Sequence, residues 1–442
     1  MMENITIESI LNRSNVLKAY QQVVGNQGSA GIDEMTVEEL SDYLRGHWEE
    51  IKISLENGRY SPKAVRRVEI PKPLGGVRKL GIPTVLDRMI QQSIANELNR
   101  HYEPKFSEHS YGFRQGRSCH QAIDKALEYL NEGYEYVVVI DISKFFDRVN
   151  HDILMYSLSK EISDKRVLKL IRKYLQSGVM ENGVKQPTKE GTPQGGNLSP
   201  VLSNIVLDRL DKELEKRGHR FVRYADDISI YVKSRRAGER VLQSVTSWIE
   251  GKLKLQVNEE KSGVMKYQKV ELLGFGFYKT SKQGTKVIAT RITQSSYSRF
   301  KRKLKALTKR SNPINHRKRV EKINQVTTGW LAYFAKADGK TKIQRMDEWL
   351  RRRLRSCIWK QWKLVRVRSR NLQRLGASKQ KAYEWANTRK SYWRVSKSPI
   401  LGRTITTKRL KQSGYKSLLE IYNHFHENLS NRRDTRTVRP VV

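Results

Sequence analysis

The sequence predicts an α+β fold, in which a middle region of mixed strands and helices is followed by a strand-free, strongly basic helical region. Three observations carry this. Apolar runs of strand character, Tyr136–Ile140 and Phe221–Val232, recur among helical segments between residues 131 and 280, the pattern of a sheet domain rather than a bundle. Beyond residue 290 such runs disappear and Lys- and Arg-rich helical segments take over. Between Phe221-Val222-Arg223-Tyr224 and Ile228-Ser229-Ile230-Tyr231-Val232 stand Ala225, Asp226 and Asp227. Acidic pairs are depleted from strand interiors, so this break reads as the turn of a hairpin.

Taken in order, residues 1–60 read as helical, with apolar residues at helical spacing around Ile10, Leu11, Val16 and Leu17. A loop, Gly25–Gly31, interrupts them. Residues 61 to about 130 mix short strands with a helical segment, Leu86–Tyr102. Within them Glu69–Leu80 reads as strand, Gly-Gly turn, strand. Tyr136–Ile140 is β-branched throughout its middle and reads as a buried strand ending at Asp141. Gly191–Pro200 is a loop opening a helix through Leu202, Ile205 and Leu210. No internal repeat or low-complexity linker is present.

The formal net charge is +41, and it is unevenly placed. Residues 1–60 hold 5 Lys and Arg against 10 Asp and Glu, whereas residues 291–442 hold 41 against 8. A field of that sign attracts polyanions and speeds encounter with them, which points to nucleic acid. No apolar stretch is long enough to span a bilayer, and the start of the chain lacks the succession of a signal peptide. The expectation is a cytoplasmic protein, free or nucleoid-associated, with no membrane partner. Two cysteines, Cys119 and Cys357, support neither a disulfide scaffold nor a cysteine-rich zinc site. His424 and His426 read as surface-helix residues rather than metal ligands.

Adjacent anions repel unless a cation sits between them. Mg²⁺ takes carboxylate oxygens and leaves positions for substrate phosphates. Asp141 at the end of one strand and Asp226 and Asp227 in a neighbouring turn could together hold two such ions, the arrangement used for in-line phosphoryl displacement. Mn²⁺ accepts the same oxygens. Around them stand groups suited to a nucleotide. The Gly-Gly hairpin would bring Lys72 and Arg78 to one side of a ribbon, as point charge and bidentate fork for a triphosphate. Gln194, between glycines in the 191–200 loop, offers donors and acceptors to a base pair or nucleotide. Arg114 and Arg117, in Ser110–Arg117, suit contact with backbone phosphates. Phe146, five residues past Asp141, could lie under the sugar and exclude a 2′-hydroxyl.

In this order, the motifs resemble a reverse transcriptase, specifically the group II intron-encoded reverse transcriptase/maturase family. Lys-Pro-x-Gly-Gly-x-Arg at 72–78, Ser-Tyr-Gly-Phe-Arg at 110–114, Asp-Ile-x-x-Phe-Phe-Asp at 141–147, Gly-Thr-Pro-Gln-Gly-Gly at 191–196, Tyr-Ala-Asp-Asp at 224–227 and Leu-Gly-Phe at 273–275 all match. The resemblance implies a right-hand polymerase. It would have an N-terminal extension over residues 1–60, fingers and a ferredoxin-like antiparallel palm over 61–290, a helical thumb or maturase domain over 291–365, and a basic DNA-binding tail over 366–442.

It further implies that Asp141, Asp226 and Asp227 are catalytic, with Ile142 adding its backbone carbonyl to the metal set. Lys72 and Arg78 would hold the triphosphate, Phe146 would be the steric gate, Gln194 would lie against the templating pair and Lys261 beside the pyrophosphate. Gly274 and Phe275 would belong to the primer grip. The implied reaction is RNA-directed DNA synthesis from a primer 3′-hydroxyl with two Mg²⁺. The implied partners are group II intron RNA, an RNA template with DNA primer, deoxynucleotides and a DNA target. Without paired cysteines the chain is expected to be of the short subclass lacking a zinc endonuclease domain. The alternatives are an RNA-binding splicing cofactor without polymerase activity, or a reverse transcriptase serving retrons, diversity-generating elements or CRISPR spacer acquisition.

Overall fold

The computed structural model describes residues 4–71, 75–181, 184–186, 188, 190–192, 195–282 and 284–434. Lys72 and Gln194 lie outside the described residues. The chain forms two compact units, residues 1–267 and 268–442.

In the first unit the expected early helices span Arg13–Gly25 and Leu40–Glu56. The helix Val85–Tyr102 is almost entirely buried and starts at Thr84, whose hydroxyl accepts from the Asp87 amide. That capping satisfies one of the donors a helix start leaves open. Asp87 faces inward, where the hydroxyls of Thr84 and Tyr60 reach it at 2.8 and 2.9 Å. The Gly-Gly hairpin is present as β1 (Val65–Pro71) and β2 (Val77–Ile82), with Gly75 and Gly76 at positive φ. Two strands that were not evident in the sequence extend this sheet, β4 (Val179–Glu181) parallel to β1 and β5 (Val184–Gln186) beyond it.

The second sheet of this unit comprises β3 (Tyr136–Asp141), β6 (Arg220–Tyr224), β7 (Asp227–Val232) and β8 (Gly263–Lys266). Their order is β6-β7-β3-β8, and every pair is antiparallel. With the helix Ser199–Lys216 leading into β6 and Arg235–Trp248 between β7 and β8, this is the ferredoxin-like palm arrangement. Both faces of β7 are dry: Ser229 and Tyr231 are buried as fully as Ile228 and Ile230. Tyr129, from the helix Cys119–Asn131, covers that face with its ring 5.4 Å from Tyr231. The palm sheet is therefore covered on both faces and sits inside the core, which fixes the ends of β3 and β7 against each other.

The second unit opens with β9 (Glu271–Leu272), β10 (Phe275–Lys282) and β11 (Thr285–Ile292), in the order β11-β10-β9. Three long helices follow, Gln294–Leu307, His316–Tyr333 and Lys340–Gln361. The unit starts at residue 268, and the β10–β11 hairpin lies within it together with these helices. The region after residue 365 packs back on these helices. Its last helix, Leu418–Asp434, packs on His316–Tyr333 and Lys340–Gln361. Asp347, buried on Lys340–Gln361, accepts from the Leu418 amide at 2.8 Å and from the Tyr415 hydroxyl at 2.5 Å. The aromatic residues of this region are largely core, with Trp359 buried and Trp330 stacked on Phe300 at 4.0 Å. Among the described residues no helix is long and apolar enough to cross a membrane.

Candidate active site

The two acidic motifs meet at one end of the palm sheet. β6 and β7 close as a hairpin with Tyr224 opposite Asp227, leaving Ala225 and Asp226 as its two-residue turn. Ala225 adopts φ +56, a left-handed conformation that costs a non-glycine residue about 1 kcal/mol. β3 lies beside β7 in a register that sets Asp141 directly opposite Asp227. Residues facing each other across an antiparallel pair have Cα atoms about 4.5–5.5 Å apart, so these two acids are neighbours.

On its other side β3 is tied to the segment after 255. The Ser143 amide donates to the Gln256 carbonyl and the Asn258 amide to the Asp141 carbonyl, both at 2.8 Å. In that pattern the intervening Ile142 turns its own carbonyl away from Val257 and toward the β7 side. The Ser262 hydroxyl accepts from the Asp141 amide at 3.0 Å. Lys261 places its Nζ 3.5 Å from Asp141 Oδ2 while remaining largely exposed.

The electrostatics record the crowding. Asp226 is held above the ordinary carboxylate range by loss of hydration and by the Asp141 charge, against which Arg78 and Arg223 act. Asp227 is pushed up to about 6, first by loss of hydration and then by Asp226 and Asp141, with Lys261 opposing. Asp227 still presents surface to solvent, and the charges of Asp226 and Asp141 add to the loss of hydration that dominates its shift. Two unit charges about 5 Å apart repel by about 3 kcal/mol at an effective dielectric near 20. That repulsion is what a bound cation removes.

No group of three or more His, Cys, Asp or Glu side chains among the described residues is drawn together into a ready cation site. The donor set nevertheless fits a hard divalent ion: carboxylate and carbonyl oxygens, with acids whose mutual repulsion opposes their ionisation.

The remaining expected site residues fall into two classes. Arg78 is exposed on β2 and close enough to lower Asp226. Phe146 is half-buried, with its ring edge-on to Phe145 at 5.3 Å and to the exposed Phe113 at 6.4 Å. Arg117 is half-buried over the Tyr111 ring. Arg114, expected to meet phosphate, is instead buried. Its guanidinium donates to the Ser107, Ser110 and Glu103 carbonyls and to the Glu103 carboxylate, so it braces the 103–114 loop and has no free edge for a template.

In the second unit Gly274 has φ +83, and a Cβ there would lie 2.7 Å from Ser296 Oγ. Phe275, expected in the primer grip, has no exposed surface; its ring packs on Tyr333 and Phe334. It supports the turn from below and cannot touch a primer itself.

The glycines of the Gly-Thr-Pro-Gln-Gly-Gly loop serve close approach. A Cβ on Gly191 would lie 2.7 Å from the Asp147 carbonyl, and one on Gly195 2.8 Å from the Gly81 carbonyl. Both also hold positive φ. Gly191 is thereby pinned against the Phe-Phe-Asp turn and Gly195 against β2, with the Thr192 amide donating to the Phe146 carbonyl at 2.6 Å.

Sequence reasoning passed over Arg223, Asn204 and Asp211, which support the turn bearing Asp226 from within. The available signal was a lone arginine inside an otherwise apolar strand, treated as part of the run.

Residues 70–277 match the family of reverse transcriptases (RNA-dependent DNA polymerases), and residues 297–376 match the group II intron maturase-specific domain. The protein YkfC of Escherichia coli is 32% identical over 272 residues, a match covering 53% of this chain and 71% of that protein. The chain belongs to the group II intron reverse transcriptase/maturase family. The group II intron-encoded protein LtrA of Lactococcus lactis is 32% identical over 314 residues, 55% of this chain and 51% of LtrA. A 91 kDa protein in a cob intron of Schizosaccharomyces pombe is 35% identical over 215 residues, 48% of this chain and 26% of that protein. The chain thus spans about half of LtrA and a quarter of the fission-yeast relative. A solved partial Cas6-RT-Cas1–Cas2 complex is more distant, at 23% identity and a TM-score of 0.36, covering 55% of this chain and 42% of that one. For this reverse transcriptase/maturase, the palm motifs and the helical second unit account for the two family matches respectively.

Proposed function

We propose that this protein extends the 3′-hydroxyl of a DNA primer along an RNA template, and that it binds group II intron RNA and assists its splicing. The observation that carries the polymerase reading is the convergence of Asp141, Asp226 and Asp227 at one end of the palm sheet, where each raises the field felt by the next. Asp141, Asp226, Asp227 and the Ile142 carbonyl would hold two Mg²⁺, or Mn²⁺ in their place. Bound there, the ions supply activation of the attacking hydroxyl and neutralisation of the leaving pyrophosphate.

The protein's own part is positioning and charge, as phosphoryl transfer demands little else. Arg78, with Lys72 by resemblance, holds the triphosphate. Lys261, already paired with Asp141, stands ready for the pyrophosphate charge. Phe146 lies under the sugar and disfavours a 2′-hydroxyl. Gln194 is assigned to the templating pair by resemblance alone. Gly274 belongs to the turn of the primer grip, with Phe275 as its buried support, and Arg117 remains the candidate template contact of its loop.

The maturase-specific match over 297–376 and the basic surplus of the same region support the RNA-binding role, with a DNA target as the further partner. Both roles use one protein, and one variant separates them. Asp226→Ala is expected to abolish primer extension on an RNA template while leaving intron RNA binding and splicing near the parent level. Substantial extension by that variant would remove the assignment of the acidic cluster.

A further inference from the structure

The turn that carries Asp226 is braced by a buried polar network with no place in the chemistry just described. Arg223 has no exposed surface, and all three nitrogens of its guanidinium donate hydrogen bonds. Nε donates to both oxygens of Asp211 at 2.8 and 3.0 Å, and Nη2 donates to Asp211 Oδ2 at 2.5 Å. Nη1 donates to Asn204 Oδ1 and to the Ala225 carbonyl, each at 3.0 Å.

Asn204 completes a ring. Its Nδ2 donates to the Gly112 carbonyl at 3.0 Å, and Gly112 lies so close to Ala225 that a Cβ there would be 2.2 Å from the Ala225 nitrogen. The strand backbone on either side is fastened to the same loop, the Arg223 amide to the His109 carbonyl and the Tyr111 amide to the Arg223 carbonyl, both at 2.9 Å.

A buried ion pair is a poor way to gain stability, since apolar residues of equal volume serve as well or better. What this one provides is direction. Asp211 and Asn204 stand on one rigid helix, Ser199–Lys216, and together they aim the fork of Arg223 at a single carbonyl. That carbonyl belongs to the residue held at positive φ immediately before Asp226. Residues kept in such conformations need surroundings that over-determine them.

We propose that Arg223 is a positioning residue that sets the geometry with which the Asp226–Asp227 turn receives divalent ions, acting through the Ala225 carbonyl and oriented by Asp211 and Asn204. The inference rests on the two-metal reading given above. It extends to this chain the general behaviour of outer partners that orient metal ligands without touching the ion.

Three variants test it. Arg223→Lys keeps the charge opposite Asp211 and loses the fork. Arg223→Met combined with Asp211→Leu replaces the pair by apolar groups. Asn204→Ser releases the Gly112 carbonyl and one guanidinium contact. Each is assayed for melting temperature, for Mn²⁺ binding by electron paramagnetic resonance without nucleotide, and for primer extension as a function of Mg²⁺. Expected is a roughly ten- to hundredfold weaker Mn²⁺ affinity, with a matching rise in half-saturating Mg²⁺, in Arg223→Lys and in the double variant. The KM for primer–template should stay at the parent value.

Folded variants that bind Mn²⁺ and respond to Mg²⁺ as the parent does overturn the inference, whatever their stability. Collapse of all three variants overturns it as well, by making the network purely structural. Asp226→Ala is run in parallel: if that variant still extends the primer, the two-metal reading falls, a result distinct from failure at Arg223 alone.

Discussion

Replacing Gly112 by alanine is the sharpest probe of how tightly the turn bearing Asp226 is held. Gly112 does not sit at positive φ, so its backbone tolerates an alanine; only space forbids one. The added Cβ would lie 2.2 Å from the Ala225 nitrogen, 2.9 Å from the Tyr224 carbonyl carbon and 3.1 Å from the Ala225 Cα. All three are backbone atoms, and no flexible side chain can swing aside. Restoring ordinary contact at about 3.4 Å requires the two backbones to part by about 1.2 Å.

Overpacking of this size costs roughly 1–3 kcal/mol of stability. The separation falls on the residue preceding Asp226, and a displacement of about 1 Å at a reacting centre can cost about a hundredfold in rate. Single-turnover extension of a DNA primer on an RNA template, with saturating deoxynucleotide and Mg²⁺, reads that loss directly. Melting temperature, measured on the same preparation, reads the stability cost. A folded Gly112→Ala protein extending within about twofold of the parent would refute the claim that close approach to Ala225 sets the turn, since a shift of this size should cost far more.

Two further outcomes follow from the same geometry. With Asp227 raised to about 6 in the folded, metal-free protein, the neutral acid is favoured by folding. The associated stability is complete below the ordinary carboxylate range and is lost as pH rises through about 6. Melting in a chelator should therefore fall over that interval, Mg²⁺ should restore it above pH 6, and Asp227→Asn should flatten the profile; an unchanged profile in Asp227→Asn would contradict the assigned field. Phe275→Ala should remove roughly 3–5 kcal/mol of packing from the second unit. Circular-dichroism melting should show this loss, whereas a primer contact would leave stability intact and weaken primer affinity instead.

The chemistry was more legible in the sequence than its supports. Asp141 was recognisable because a β-branched run ends in an acid, and Asp226 and Asp227 because acidic pairs are depleted from strand interiors. Both signals are local, and the strand register brings their consequences together. The short strands β4 and β5 carried no comparable signal; three residues each, β4 is a strand because β1 offers it an edge, and β5 because β4 does. Nor did the run of β7 show what covers its Ser229 and Tyr231 face; a helix about one hundred residues earlier in the chain supplies Tyr129 to do so.

The same distinction separates Arg114 from Arg78. An arginine between glycines and aromatics has identical local chemistry whether it meets a phosphate or a ring of carbonyls. What decides is the presence of Glu103 and Ser107 within reach, a tertiary fact. Phe275 is ambiguous in the same way until Tyr333 and Phe334 close over it. Arg223 is the instructive opposite case. A full positive charge in a buried strand demands a partner, because leaving it unpaired costs several kcal/mol. The sequence therefore already required an acid somewhere on a facing element. Asp211, twelve residues earlier on the helix that feeds β6, meets that requirement, and the guanidinium edge left over is the one that reaches the turn bearing Asp226. A charge misplaced by local pattern thus marks the structure that local pattern cannot describe.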